Sequence, residues 1–241
     1  MQAKTVKYHG NSPSDSGGFK RALPRARFRQ RLFLLSPANA NSVRGSFLLG
    51  DSGQSRLWHR LREGSASLGE VFSFISGLYF RGKLAYARAF ADPPTDIPGI
   101  VVITAAGGLI SPDKLVTQDE LREITAGRVD AGDSRYRIPL ERDAQLLRNQ
   151  IGPRCEVVLL GSIATPKYID PLLGMFEESL LFPAEFVGRG DMSRGGLLLR
   201  CVREQTQLAY VPVAGAVHHG MRPPKLTTSH RLTRPGSTSF S

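Results

Sequence analysis

The chain has 241 residues, 41% apolar, with two cysteines and a net charge of +11. That is enough apolar material for a sizeable core in one α/β domain or two small ones, and too few cysteines for a disulfide framework. The charge sits at the ends: residues 1–31 hold eight Lys/Arg and one Asp, residues 217–241 hold four Lys/Arg and no acid, and residues 32–216 are neutral, which argues against the body as a duplex-DNA binder.

Residues 1–30 are rich in Ser, Gly, Asn and basic side chains without an apolar period, and are expected to form a disordered tail, as is 217–241. The basic stretch before Leu32-Phe33-Leu34-Leu35 imitates a signal peptide, but its apolar run is far shorter than the ~7–15 residues such a signal needs. No run approaches the ~18 apolar residues of a membrane span, so the expectation is a cytoplasmic protein without a membrane partner. Leu32–Leu35 reads as a buried strand ending in the small polar loop Ser36–Asn41.

Ser55–Glu63 has a helical spacing, and Glu70–Ser76 and Leu78–Ala91 read as two further helices. In the last, Leu78, Tyr79, Ala85, Tyr86, Ala89 and Phe90 form an apolar stripe, with Arg81, Lys83 and Arg88 placed mostly elsewhere. Ile100–Ile103 is β-branched and reads as a strand buried on both faces, followed by the loop Thr104–Gly108. Thr117 and Glu120 make a capping box for a helix to about Ala126. After a polar connection, Pro139–Gln150 reads as a helix with Pro139 in its first turn.

Val157–Leu160 is the next buried strand, with the loop Gly161–Lys167 and a helix over Tyr168–Glu177 behind it. Leu180–Phe186 contains another strand and Leu197–Arg203 a helix. Tyr210–Val213, with Pro212, suits a final edge strand. Cys155 and Cys201 lie in apolar runs and are expected as buried, reduced thiols. The alternation predicts an α/β fold over 31–216, a mostly parallel sheet with helices on both faces, flanked by the two disordered basic tails.

Ligands of such sheets bind beyond the carboxyl ends of the strands. Four small, polar or Gly-rich loops follow the strands: Ser36–Asn41, Thr104–Gly108, Gly161–Lys167 and Val187–Gly196. In the last, Gly188, Gly190 and Gly195 permit close backbone approach, and Arg189 and Arg194 offer planar forks for phosphate or carboxylate. Asp191 and Ser193 are good helix N-caps beside an anion, and Asp191 is the candidate acid/base group. Ser36, Asn39, Gly107, Gly108, Ser162 and Lys167 complete the expected ligand contacts. A plain surface turn explains the Gly-Arg stretch equally well.

Gly161–Lys167 fails the phosphate-loop pattern, lacking its second glycine and its Lys-Ser/Thr pair. Only His59 lies inside the neutral body, which leaves a Ser-His-Asp triad and a zinc cluster unsupported. No cofactor is indicated. Tyr79, Arg81, Lys83, Tyr86 and Arg88 interleave aromatics with bases, which suits either base stacking or an amphipathic helix with a solvated basic face.

Leu78-Tyr79-Phe80-Arg81-Gly82-Lys83-Leu84-Ala85-Tyr86-Ala87, followed by Val101-Val102-Ile103-Thr104-Ala105-Ala106-Gly107-Gly108-Leu109-Ile110-Ser111-Pro112-Asp113, carries a resemblance. Residues 77–113 are similar to small bacterial and phage domains, some of which accompany the tRNA-guanine-transglycosylase-like enzymes of 7-deazapurine modification, and distantly to YaaA-type peroxide-stress proteins. The whole chain resembles a bacterial family of uncharacterised conserved proteins. A basic residue usual in the first loop of that pattern is replaced here within Thr104–Gly107. The resemblance implies an α/β fold and nucleotide or nucleobase chemistry. The expected function is therefore binding of a nucleotide, nucleobase or small anion at the strand-end rim, with or without catalysis. The alternative is a non-enzymatic nucleic-acid or protein-binding module working through the basic tails and the Tyr79–Arg88 helix.

Overall fold

The structure, a computed structural model, describes residues 30–216, so the tails expected over 1–30 and 217–241 lie outside the described residues apart from Gln30. β1 (Gln30–Leu35) leads through α1 (Val43–Leu49), α2 (Arg56–Arg62), a short β2 (Ala66–Ser67) and α3 (Leu68–Ser76) to α4 (Leu78–Phe90). β3 (Ile100–Ile103) folds back into β4 (Leu109–Ile110), and β5 (Leu115–Val116), α5 (Gln118–Ile124) and α6 (Ser134–Ile151) follow. β6 (Cys155–Leu160), α7 (Pro166–Phe176), β7 (Leu180–Pro183), α8 (Asp191–Glu204) and β8 (Tyr210–Pro212) complete the described chain, with 3-10 turns at Glu177–Ser179 and Ala184–Phe186.

Side-chain caps set several helix starts. Ser42 and Ser55 accept the amides of Gly45 and Trp58. Ser67 with Glu70 and Thr117 with Glu120 form full capping boxes on α3 and α5. Glu70 also receives the Arg60 guanidinium, and that bond, ahead of the Ser67 amide, holds its carboxyl down at about 2.

The six-stranded sheet has the order β4-β3-β1-β6-β7-β8. β3, β1, β6 and β7 run parallel, and the outer strands β4 and β8 are antiparallel to their neighbours. The protein is thus mixed α/β with a mostly parallel sheet. Alternate strand residues enter two apolar clusters. Phe33, Leu35, Val102, Val158 and Leu160 pack with Phe72 of α3, Phe80 of α4 and Leu198 of α8. Leu32, Leu34, Val101, Val157 and Leu159 pack with Leu140 of α6 and Leu172 of α7. Burial of both sets explains why these strands are continuous apolar runs rather than alternating ones.

Among the boundaries that differ from the sequence reading, three bear on the site and its supports. α6 begins at Ser134, where the Asp133 side chain accepts the Arg135 amide, so Pro139 is interior to the helix and not in its first turn. The polar look of 127–137 concealed Tyr136, which is fully buried. α8 begins at Asp191 and not at Leu197, which puts Arg194, Gly195 and Gly196 inside a helix and leaves only Val187–Gly190 as loop. β7 stops at Pro183, where the chain tightens into a 3-10 turn.

The connection leaving β1 crosses to β3 on one side, whereas β6 lies on β1's other side and connects onward to β7. The connections therefore diverge at β1 and β6, which opens a crevice beyond their carboxyl ends.

Candidate functional site

A cavity of about 530 Å³ occupies that crevice. Three strand-end loops reach it, through Ser36 to Asn41 after β1, Ala105 after β3 and Ser162 after β6, and the first residue of α8, Asp191, joins them from beyond β7. Phe72, Ser76 and Tyr79 of α3 and α4 form one wall, Thr125 to Val129 contribute on the α5–α6 side, and α7 adds Lys167 and Tyr168.

Ser36, the residue directly after β1, is buried at one side of the cavity. Behind it stands Lys83 of α4, 1% exposed. Lys83 Nζ donates to the Ser36 carbonyl oxygen at 2.5 Å and lies 2.7 Å from Ser36 Oγ. Ser36 Oγ also donates to the Leu160 carbonyl at 3.2 Å, tying the ends of β1 and β6 together. The ammonium is held over the Tyr79 and Phe80 rings, 4.5 and 4.9 Å from their centroids. No carboxylate bonds it among the described residues. Burial lowers its pKa to about 7; Asp191 pulls it back up, and Arg194 and Lys167 push it further down.

Tyr168 is also buried, and desolvation raises its hydroxyl well above the ordinary value, with Tyr79 adding and Ser36 opposing. It stays a neutral donor across the physiological range. The Tyr79 hydroxyl is buried without a hydrogen-bond partner, and burial pushes it up to about 12 against the opposing Arg194. Lys167 is half-buried, with Nζ 5.0 Å from the Tyr168 ring centroid and no carboxylate partner among the described residues. Asp191 is exposed over 70% of its side chain.

Of the residues singled out by sequence, Ser36, Asn39, Ser162, Lys167 and Asp191 line the cavity. The two arginines do not. Arg194 is buried and spends Nε and Nη2 on the Phe186 carbonyl, at 3.2 and 3.0 Å. Arg189 bonds the Glu185 carbonyl and Ser193 Oγ. Both arginines therefore brace the 3-10 turn before α8 instead of presenting free forks.

Gly190, and not Asp191 or Ser193, occupies the N-cap position of α8, with no side-chain cap. Gly188 adopts a positive φ of 71° in the approach to it. Gly195 faces a helix backbone rather than a ligand, since a Cβ there would lie 2.8 Å from the Leu78 carbonyl oxygen. The turn at Gly107 and Gly108 closes on itself through Thr104 Oγ1, and a Cβ on Gly108 would collide with Asp143 at 2.1 Å.

Sequence reasoning missed Lys83 as a site residue by assigning it to a solvated basic face. The signal was present: Tyr79, Lys83 and Tyr86 are spaced four and three apart, so Lys83 lies within the apolar stripe. The same burial takes Tyr86 out of any base-stacking role. Tyr86 is fully buried and bonded to Tyr210 Oη and the Leu208 amide. Arg88 is paired with Asp113.

Among the described residues no cluster of three or more His, Cys, Asp or Glu is placed to hold a metal ion, and no helix is long and apolar enough to cross a membrane. Comparison with protein-family models, curated proteins and solved structures finds no match.

Proposed function

We propose that the chain binds a small anionic ligand, a nucleotide or a nucleobase in the cavity beyond β1 and β6. The binding unit is a single α/β domain over 31–216 whose helices cover both faces of the sheet. The observation that carries this reading is the convergence of three strand-end loops and the start of α8 on one cavity at the divergence of the connections. Lys167 and the exposed Arg128 supply positive charge at the wall, and Asn39, Asn41 and Ser162 supply hydrogen bonds. Tyr79 and Tyr168 at the cavity wall suit a planar base. The resemblance of residues 77–113 to domains associated with 7-deazapurine modification points to the same ligand class. Two free, buried cysteines suit a reducing compartment, the cytoplasm.

A thermal-shift screen of nucleotides, nucleobases and inorganic phosphate tests the proposal. A ligand at one hundred times its dissociation constant stabilises the native state by about 2.7 kcal/mol. Lys167→Ala should weaken that shift while leaving the unliganded melting temperature within a few degrees. A screen in which no compound raises the melting temperature refutes this function.

A further inference from the structure

We propose that Ser36 is a nucleophile and Lys83 its general base, and that the cavity hydrolyses a small ester or amide whose acyl carbonyl reaches Ser36 while its anionic group faces Lys167. The inference rests on the proposed ligand site and deepens it. Three independent features place the pair. Lys83 Nζ donates to Ser36 Oγ at 2.7 Å, and once the amine is neutral and the hydroxyl turns from the Leu160 carbonyl the same contact carries the proton from Oγ to Nζ. Ser36 lines the cavity and Lys83 does not, so substrate meets the hydroxyl first and the amine lies behind it. Lys83 is 1% exposed and no carboxylate bonds it among the described residues, so desolvation favours the neutral amine, the only form able to accept a proton.

The chemistry balances with water as co-reactant. Ser36 Oγ bonds the acyl carbon as its proton passes to Lys83 Nζ, and the carbonyl electron pair moves to oxygen. When the tetrahedral species collapses, the bond to the leaving group breaks and that group takes the proton from Lys83. Water then attacks the Ser36 ester, giving one proton to Lys83. Collapse releases the acid, and the proton returns to Ser36 Oγ. The Tyr168 hydroxyl and the Lys167 and Tyr168 amides, at the start of an α7 with no side-chain cap and a proline in first place, are the donors available to the developing oxyanion. A phosphoryl dianion at Ser36 would re-protonate Lys83 and disable the base, so the reacting centre is a neutral acyl group. The groups that bear on Lys83 are Asp191 and Arg194 of α8, Lys167 of α7, and Tyr79 on its own helix, while Tyr168 of α7 bears on Ser36.

The test treats the full chain with an alkyl fluorophosphonate and maps adducts by peptide mass spectrometry. The expected adduct is on Ser36, absent in Ser36→Ala and slowed on the order of a hundredfold in Lys83→Met, as loss of a general base predicts. In the wild type the labelling rate should rise with pH through a midpoint near 7, where Lys83 loses its proton. That profile stands even if Lys83→Met does not fold. No adduct on Ser36, or equal rates for wild type and folded Lys83→Met, or a wild-type rate independent of pH between 5 and 9, overturns the proposal. The thermal-shift screen, repeated on Ser36→Ala, separates the two readings. Retained ligand binding with an inert Ser36 removes the catalysis alone, and loss of both removes the site.

Discussion

Gly82 of α4 and Gly195 of α8 meet backbone to backbone. A Cβ on Gly82 would stand 2.8 Å from the Gly195 carbonyl oxygen, and one on Gly195 would stand 2.9 Å from Tyr79 Cα. The contact lets two helices that carry Lys83 and Asp191 cross closely beside one cavity. Gly82→Ala and Gly195→Ala should each destabilise by about 1–3 kcal/mol through overpacking, because the obstacle is backbone and cannot rotate away. Urea denaturation measures this. Unchanged midpoints for both variants would show that the helices are not packed this closely.

The braced arginines separate in the same assay. Arg194→Ala leaves the buried Phe186 carbonyl without its two guanidinium bonds and should cost about 2–3 kcal/mol. Arg189 is less buried and should cost about 1 kcal/mol or less when truncated. Neither substitution should change affinity for a ligand found by screening, provided the protein is folded. A tenfold loss of affinity in Arg189→Ala would return that side chain to the site.

Lys83 makes stability depend on pH. Its folded pKa of about 7 is depressed from 10.5, so between those values the unfolded chain binds more protons. The contribution of Lys83 is therefore present above the unfolded pKa and lost as pH falls towards 7. The stability of wild type relative to Lys83→Met should rise by roughly 1.4 kcal/mol per pH unit between pH 7 and 9. The buried tyrosines are shifted upward and titrate above that window. Denaturation curves at pH 7, 8 and 9 give the difference directly, and a flat difference means that Lys83 is charged in the native state.

Val158 sits at the middle of the sheet, opposite Phe33, and is fully buried. Val158→Asp puts an unpaired carboxylate there and should cost more than about 4 kcal/mol, leaving no cooperative melt in calorimetry. A soluble variant with a sharp transition would mean that β6 is not central.

Much of this architecture was legible because its signals are local. The runs Leu32–Leu35, Ile100–Ile103 and Val157–Leu160 announce buried parallel strands, and Thr117 with Glu120 announces a helix start. The four strand-end loops were visible as small polar breaks, and three of them reach the cavity; the fourth is cut short by α8, whose first residue Asp191 reaches it instead. The roles of particular side chains were less legible, because they depend on contacts distant in sequence. Arg194 looks like a free fork until Phe186 is folded against it, and Gly195 looks like a ligand loop until α4 arrives. Lys83 is joined to Ser36 across 47 positions, which no local period reports beyond its place in the apolar stripe.

The outer strands of the sheet govern what it can join. In β8, Val213 and Ala184 donate to Leu180 and Ala209, so the ladder bonds fall either side of Pro212 and its nitrogen points to the open margin. That nitrogen has no hydrogen to offer an incoming strand. On the opposite margin, Thr104 donates to Gly108, so the outward amide is that of Leu109, and the Asp143 carboxylate of α6 already accepts it at 2.9 Å. Each margin has thus lost one of the donors through which a foreign strand would begin to zip on. At these two positions the described sheet resists edge-to-edge pairing, by a missing hydrogen on one side and an occupied one on the other.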